Sequence, residues 1–315
     1  MRFLTLLTFS FFLLATEIFP QGCSDAGFCT MGAMKPDQHF SKNINLKLHS
    51  VEISYYRGVT TLTPIVYSTT TDFNFSLNRK NTFQVKMPYQ WIEGRLANTK
   101  GIGDVSLCFT RSLISKEGLG LNFSIGSKIP TNHSDKTSDD GRPLPMYYQT
   151  SLGTYDFISG LSLINRKWLI ATGVQTPFNQ NKNQFLWGTW STSKDSAYAH
   201  EYSRAKGLKR GIDVMLRIER NFRFSRLNFS LGLLPIYRVR KDEISLKKNP
   251  TAPFERVKPE GTTGLAMSGI VTAGYSFNVR TGIKILFGKK FTQRDENPDG
   301  LTRKIVTSVT CFYRF

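Results

Sequence analysis

The side chains best suited to bond chemistry in this chain are few and scattered. The four histidines are His39, His49, His133 and His200, and they form neither HExxH nor another metal-ligand spacing. His133 precedes Ser134 and Asp135, and His200 precedes Glu201. Side chains adjacent in sequence do not normally meet as nucleophile and base, so neither run supplies triad geometry. No nucleotide-binding loop or redox motif is present, and neither a cofactor nor a metal is expected. Cys23 and Cys29 are flanked by Gly, Ser and Asp and could close a small loop in an oxidising compartment. Gly22 before Cys23 also admits lipidation, which Pro20 and Gln21 fit poorly. Charge is the more suggestive chemistry. Lys86, Asp104, Lys128, Asp156, Asp213, Arg217, Glu219, Arg238, Arg240, Lys284, Lys290 and Arg314 stand in stretches where apolar and polar residues alternate, with Asp72 as a further partner. Held in an enclosed space, an excess of fixed cations would concentrate anionic solutes. Paired with the acids, the same groups would instead cross-link their surroundings.

Those residues need elements to position them. Residues 1–20 carry Arg2 and then an apolar run from Phe3 to Ala15. This is the shape of a secretory signal peptide, short for a spanning helix, with cleavage expected between Ala15 and Gln21. Removing it takes away Arg2 and Glu17 together, so the net charge stays +19. A secreted chain rarely meets nucleic acid, and a polyanionic lipid headgroup layer accounts for the same balance. Further on, the longest uncharged stretch, Gly261 to Val279, is too rich in Gly, Thr and Ser for a spanning helix. Residues 21–43 form a short segment, periplasmic or lumen-plugging, ahead of the patterned region.

From Ile44 onward the chain divides into segments of period two: 44–57, 62–77, 81–91, 103–114, 118–130, 153–163, 167–177, 210–220, 226–241, 265–278, 280–290 and 302–315. Phe83, Val85, Met87, Tyr89 and Trp91 share one face of the third, and Leu227, Phe229, Leu231 and Leu233 one face of the ninth. The pattern suits a soluble sandwich as well. The connections separate the two readings, because the second, fourth, sixth, eighth and tenth are turns or short loops. The long excursions, Thr131 to Gly153, Gln180 to Lys209 and Asp242 to Gly264, all fall on the opposite side. A transmembrane barrel with short periplasmic turns and long extracellular loops requires this sorting. The expected fold is therefore an all-β, antiparallel up-and-down transmembrane barrel of about 12 strands over residues 44–315. Hydrocarbon offers backbone amides no partner, so the sheet must close.

Ile305, Thr307, Val309, Cys311, Tyr313 and Phe315 share a face of the last segment. This ending resembles that of bacterial outer-membrane barrels, whose final strand closes on an aromatic residue. The resemblance implies that Tyr313 and Phe315 belong to a signal read by the barrel-assembly machinery. Met87-Pro88-Tyr89-Gln90-Trp91 followed by Gly101-Ile102-Gly103-Asp104-Val105 is similar to a strand, loop and GxGD start in FadL-like hydrophobic-compound transporters and in uncharacterised Bacteroidetes barrels. Gln21 to Cys29 resembles the mature start of such Bacteroidetes proteins.

Two functions fit. One is passage of small hydrophobic or anionic molecules across the outer membrane, with the charged residues above lining the lumen or its mouths. The other is a closed barrel acting as an interaction or scaffold subunit, docked to another outer-membrane or periplasmic protein. An outer-membrane hydrolase built on His133 or His200 is the weaker third reading. Expected surroundings are outer-membrane lipid and lipopolysaccharide. Asp104 admits two readings, a lumen polar network or satisfaction of nearby backbone at a tight Gly101–Gly103 entry. Cys108 should face inward and Cys311 outward, which keeps them apart. Aromatics at 184–190 and 198–202 could form a contact surface for carbohydrate, peptide or protein, or anchor at the membrane interface.

Overall fold

The computed structural model describes residues 47–315 apart from 117 and 250. The expected signal peptide, the 21–43 segment and the Cys23 and Cys29 pair lie outside the described residues. Alternating side chains make each long strand two-faced, and the ring they form is closed. In chain order its members are β1 (Lys47–Thr60), β2 (Ile65–Ser76), β3 (Asn81–Glu93), β4 (Asn98–Ile102), β5 (Val105–Lys116), β6 (Leu119–Ile129), β7 (Asp156–Asn165) and β8 (Trp168–Pro177). After the longest loop come β9 (Asp213–Arg223) and β10 (Leu227–Arg238), and then a small separate hairpin, β11 (Ile244–Lys247) with β12 (Phe254–Val257). The wall resumes with β13 (Gly264–Ser276), β14 (Thr281–Thr292) and β15 (Arg303–Arg314).

Each wall strand pairs antiparallel with its neighbours, and β1 closes the ring on β15 from Ser50 opposite Arg314 to Thr60 opposite Arg303. Since β4 and β5 are two parts of one wall strand, the barrel has 12 strands. β3 pairs with β5 up to Lys86 opposite Ser106 and resumes with β4 at Tyr89 opposite Ile102. Between these pairs Gly103, Asp104 and Val105 stand against Met87 and Pro88, one residue more than β3 offers, a bulge. Gly103 donates its N–H to the Pro88 carbonyl across the break (2.8 Å).

The two faces are inverted relative to a soluble protein. Ile53, Phe123, Ile125, Leu161, Ile170, Leu216, Leu231, Leu233, Ile285 and Phe287 are exposed, whereas Ser68, Thr70, Asp72, Gln84, Ser106, Thr110, Ser162 and Ser230 are buried. An apolar band of this extent needs lipid to cover it, and a closed ring leaves no open edge within that lipid. Short turns gather at one end. Three of them are built by asparagine, because Asn78, Asn165 and Asn278 each accept two backbone N–H groups of the following residues through Oδ1 (2.7–2.9 Å).

Segments 103–114 and 153–163 prove to be β5 and β7, each displaced two to three residues, and the strand expected over 226–241 stops at Arg238. The short β4 and the β11–β12 hairpin carry no strand signal in sequence long enough to find.

Candidate functional site: the lumen and its loop cap

The barrel interior is the one place where all the wall strands converge, so the site is built from their inward residues. Register carries a belt of charge around one side: Glu52 lies opposite Asp72, Asp72 opposite Lys86, Lys86 opposite Ser106, Ser106 opposite Lys128, and Lys128 opposite Asp156. Gln84 Nε2 donates to both oxygens of Asp72 (2.8 and 2.6 Å). Arg217 and Glu219, two apart on β9 and therefore on one face, form an ion pair at 2.5 Å. Glu219 lies over Gly232, where an added Cβ would sit 2.5 Å from its Cγ. Next to the belt, starting on the same strands at Cys108 and Ile158, an apolar filling of Cys108, Ile158, Ala171, Met215, Leu234 and Ile270 packs together.

At the long-loop end the connections fold together into a cap. Its aromatic part contains Tyr147, Tyr148, Phe185, Trp190, Tyr198 and Tyr202, all buried. The Tyr202 ring meets the rings of Tyr147, Tyr148, Phe185 and Tyr198 edge-on at centroid distances of 5.0–6.5 Å. Burial pushes the Tyr147 hydroxyl up to about 12 and that of Tyr202 far beyond its ordinary value, so both stay neutral. Beside this cluster lies an ionic knot. Arg238 reaches Asp213 (2.7 Å), Asp242 (2.9 Å) and Asp299 (2.8 Å). Arg294 bridges Asp242 and Asp299 (3.5 and 3.1 Å), and Arg210 pairs with Asp156.

Burial acts to raise both loop carboxyls of the knot. Arg294, Arg238 and Arg210 outweigh it at Asp299 and hold that group well below the ordinary carboxylate range. At Asp242 burial prevails over Arg238, helped by the neighbouring Asp299 charge, and the carboxyl is raised. Two acids sharing the same guanidinium groups are thus pushed apart in proton affinity.

Between the cap and the short-turn end remains a cavity of about 430 Å³. Lys86, Asp104, Lys128, Arg217, Glu219, Lys284 and Arg314 line it, together with the unforeseen Glu52, Arg223 and Arg303. Apolar surface comes from Tyr56, Val66, Leu286, Val306 and Phe312. Phe312 is flanked by Arg314 (4.7 Å) and Lys284 (5.2 Å) above its ring. Met146, Leu152 and the 299–301 stretch of the cap form the ceiling.

The remaining expected lining residues lie elsewhere. Asp156, Asp213 and Arg238 are consumed in the ionic knot, and Lys290, fully buried, donates to Gln293 Oε1 (2.7 Å). Arg240 departs from expectation: β10 ends two residues earlier, period two lapses, and its side chain is exposed. Asp104 Oδ2 accepts the Leu152 N–H of the cap (3.0 Å) and lies 3.5 Å from Lys128 Nζ in the lumen. Cys108 is buried inside and Cys311 exposed outside, and the two form no disulfide with each other. The loop aromatics are not an open contact surface. Phe185, Trp190, Tyr198 and Tyr202 form the cap core, and Trp187 is stacked between His200 and Arg204. His133 is exposed, and among the described residues neither His133 nor His200 is hydrogen-bonded to a serine hydroxyl or a carboxylate. No group of three or more His, Cys, Asp and Glu side chains gathers as a metal site among them. Sequence reasoning missed Asp242, Arg294 and Asp299, which stand in loops without any periodicity to read, and Arg210, which heads the segment expected over 210–220 but precedes the strand that begins at Asp213.

No protein-family model matches the chain, and no curated protein matches it. Among solved structures it is similar to the COG4313 outer membrane channel from Pseudomonas putida F1, at 12% identity and a TM-score of 0.55, over 89% of this chain and 99% of that one. The chain has the fold of bacterial outer-membrane β-barrels, and the bacterial outer membrane is its location. Weaker likenesses are to the NanC porin (9% identity, TM-score 0.44, 86% and 99% covered) and the KdgM porin (7%, 0.41, 84% and 99%). Short turns of such barrels face the periplasm and long loops the exterior. The outer-membrane barrel is therefore capped on its outer side, and its cavity lies on the periplasmic side of the cap.

Proposed function

We propose that the barrel passes small molecules, hydrophobic or anionic, across the outer membrane, with the loop cap acting as its gate. The observation that carries this reading is the 430 Å³ cavity, whose lining combines seven cations, five carboxylates and an apolar wall of Tyr56, Val66, Leu286 and Val306. Fixed cations in a low-dielectric enclosure favour anions, and apolar wall favours a hydrophobic body. The finer reading, a FadL-like hydrophobic-compound transporter of Bacteroidetes type, draws on the Met87–Trp91 and Gly101–Val105 stretches. Tyr313 and Phe315, whose rings meet at 4.9 Å, would serve assembly.

The second reading, a scaffold subunit, is favoured by the cap itself, because an aromatic core and an ionic knot close the outer mouth. Single-channel recording in a planar bilayer separates them. A transporter gives steps that enlarge when the cap is weakened by Arg294→Leu; a scaffold stays silent in both forms and co-purifies with a stoichiometric protein.

A further inference from the structure

The periplasmic rim carries a ring of positive charge that the lumen does not use. Every short turn contributes to it: Arg79 and Lys80 between β2 and β3, Lys116 at the end of β5, Arg166 and Lys167 between β7 and β8, Arg226 between β9 and β10, and Arg280 between β13 and β14. All are exposed. Against them the sequence sets one acid in these turns, Glu117. The cations circle the barrel instead of gathering on one side.

Arg220 shows what the ring is level with. It points outward from β9, opposite Trp168 of β8 and Leu231 of β10. Its guanidinium lies over the Trp168 ring at 4.9 Å and near the Phe222 ring at 5.8 Å. Trp168, Phe222, Phe224, Tyr275, Phe277 and Tyr313 are exposed around it at this end. Trp and Tyr belts of this kind mark the headgroup level of a membrane. A cation stacked on an aromatic ring there faces phosphates, not hydrocarbon. Among the described residues no carboxylate pairs with Arg220.

We infer that this rim is a docking surface for anionic phospholipid headgroups of the periplasmic leaflet, with Arg220, Trp168, Arg166 and Lys167 as its best-formed phosphate site. A leaflet is continuous around a barrel, as the cations are, whereas a single protein partner would ask for charge on one side. Exposed tips such as Phe224 and Phe277 dip into the same interface. The assignment is independent of whether the lumen conducts.

The test uses the full chain in nanodiscs of phosphatidylcholine mixed with phosphatidylglycerol, reading retained lipid by native mass spectrometry and barrel melting by heat-modified gel migration. Phosphatidylglycerol should be retained about fivefold over its bulk share and should raise the melting temperature. High salt should erase both effects, because exposed charge is screened within about 10 Å at 0.1 M. Arg220→Gln should lower the retention, and joint Arg79→Gln, Lys80→Gln, Arg166→Gln and Lys167→Gln should abolish most of it. Where the joint variant does not fold, the single variant and the wild-type salt series carry the test. Equal retention of the two lipids, a preference indifferent to salt or to Arg220→Gln, or tight binding of an acidic periplasmic protein without lipid preference would each overturn the inference.

Discussion

Arg238 is the residue on which the cap turns, since three carboxylates from three different segments meet one guanidinium with only 2% of its side chain exposed. Removing one partner of a buried ionic group leaves the others uncompensated at a cost of about 3–5 kcal/mol. Arg238→Leu should therefore loosen the cap, and limited proteolysis should cut the 239–263 loop faster than in the parent. The same knot sets a pH dependence. Asp299, held low, contributes stability that is present above its unfolded value and lost only as pH falls through its depressed folded value. Asp242, held high, contributes stability that is full below its unfolded value and lost as pH rises through its raised folded value. Raising pH through the Asp242 transition should weaken the cap, seen as faster proteolysis of the same loop. Asp242→Asn should flatten that limb while keeping an oxygen for the Gly211 N–H (2.7 Å); an unchanged profile in the variant would refute the assignment.

At the scale of elements, legibility followed the solvent. A strand between lipid and lumen must alternate along its whole length, so Leu227 to Leu233 and Phe83 to Trp91 reveal their faces without any structure. Where one face no longer meets lipid the alternation lapses, as at Arg240 and in the β11–β12 hairpin, and the sequence became silent. The cap residues Asp242, Arg294 and Asp299 belong to that silent part, since loop charges read the same whether exposed or knotted. Leu233→Arg puts a charge on the lipid face in the middle of β10, two residues further from the rim than Leu231, and should cost about 2–4 kcal/mol in folding titrations. Ser230→Lys, three residues away on the lumen face, should leave folding nearly unchanged. Loops obey tighter rules at close approaches. Gly300 has φ +66° and an added Cβ would lie 2.6 Å from the Tyr147 amide nitrogen, so Gly300→Ala should separate the 293–302 loop from the aromatic part of the cap.

For the whole molecule, the sorting of long loops to one end does more than identify a barrel, because it gathers the loops that cap the lumen at one mouth. Among the described residues the unfilled space lies between the cap and the short-turn end, where the lining holds Lys86, Lys128, Arg217, Arg223, Lys284, Arg303 and Arg314 against Glu52, Asp72, Asp104, Glu219 and Asp299. An excess of two cations in so confined a space should give a modest preference for anions, steeper at low ionic strength, where screening is weak. Arg238 is unsuitable for testing it, because reversing that charge breaks the cap before it alters the lumen. Lys284 and Arg314 serve instead: both line the cavity and lie over the Phe312 ring. Lys284→Glu together with Arg314→Glu shifts the lining from two charges positive to two negative. In a bilayer with a salt gradient, the reversal potential should then change sign, from anion-selective in the parent to cation-selective in the variant. A potential of one sign in both would mean that ions pass the barrel, if at all, without meeting this wall.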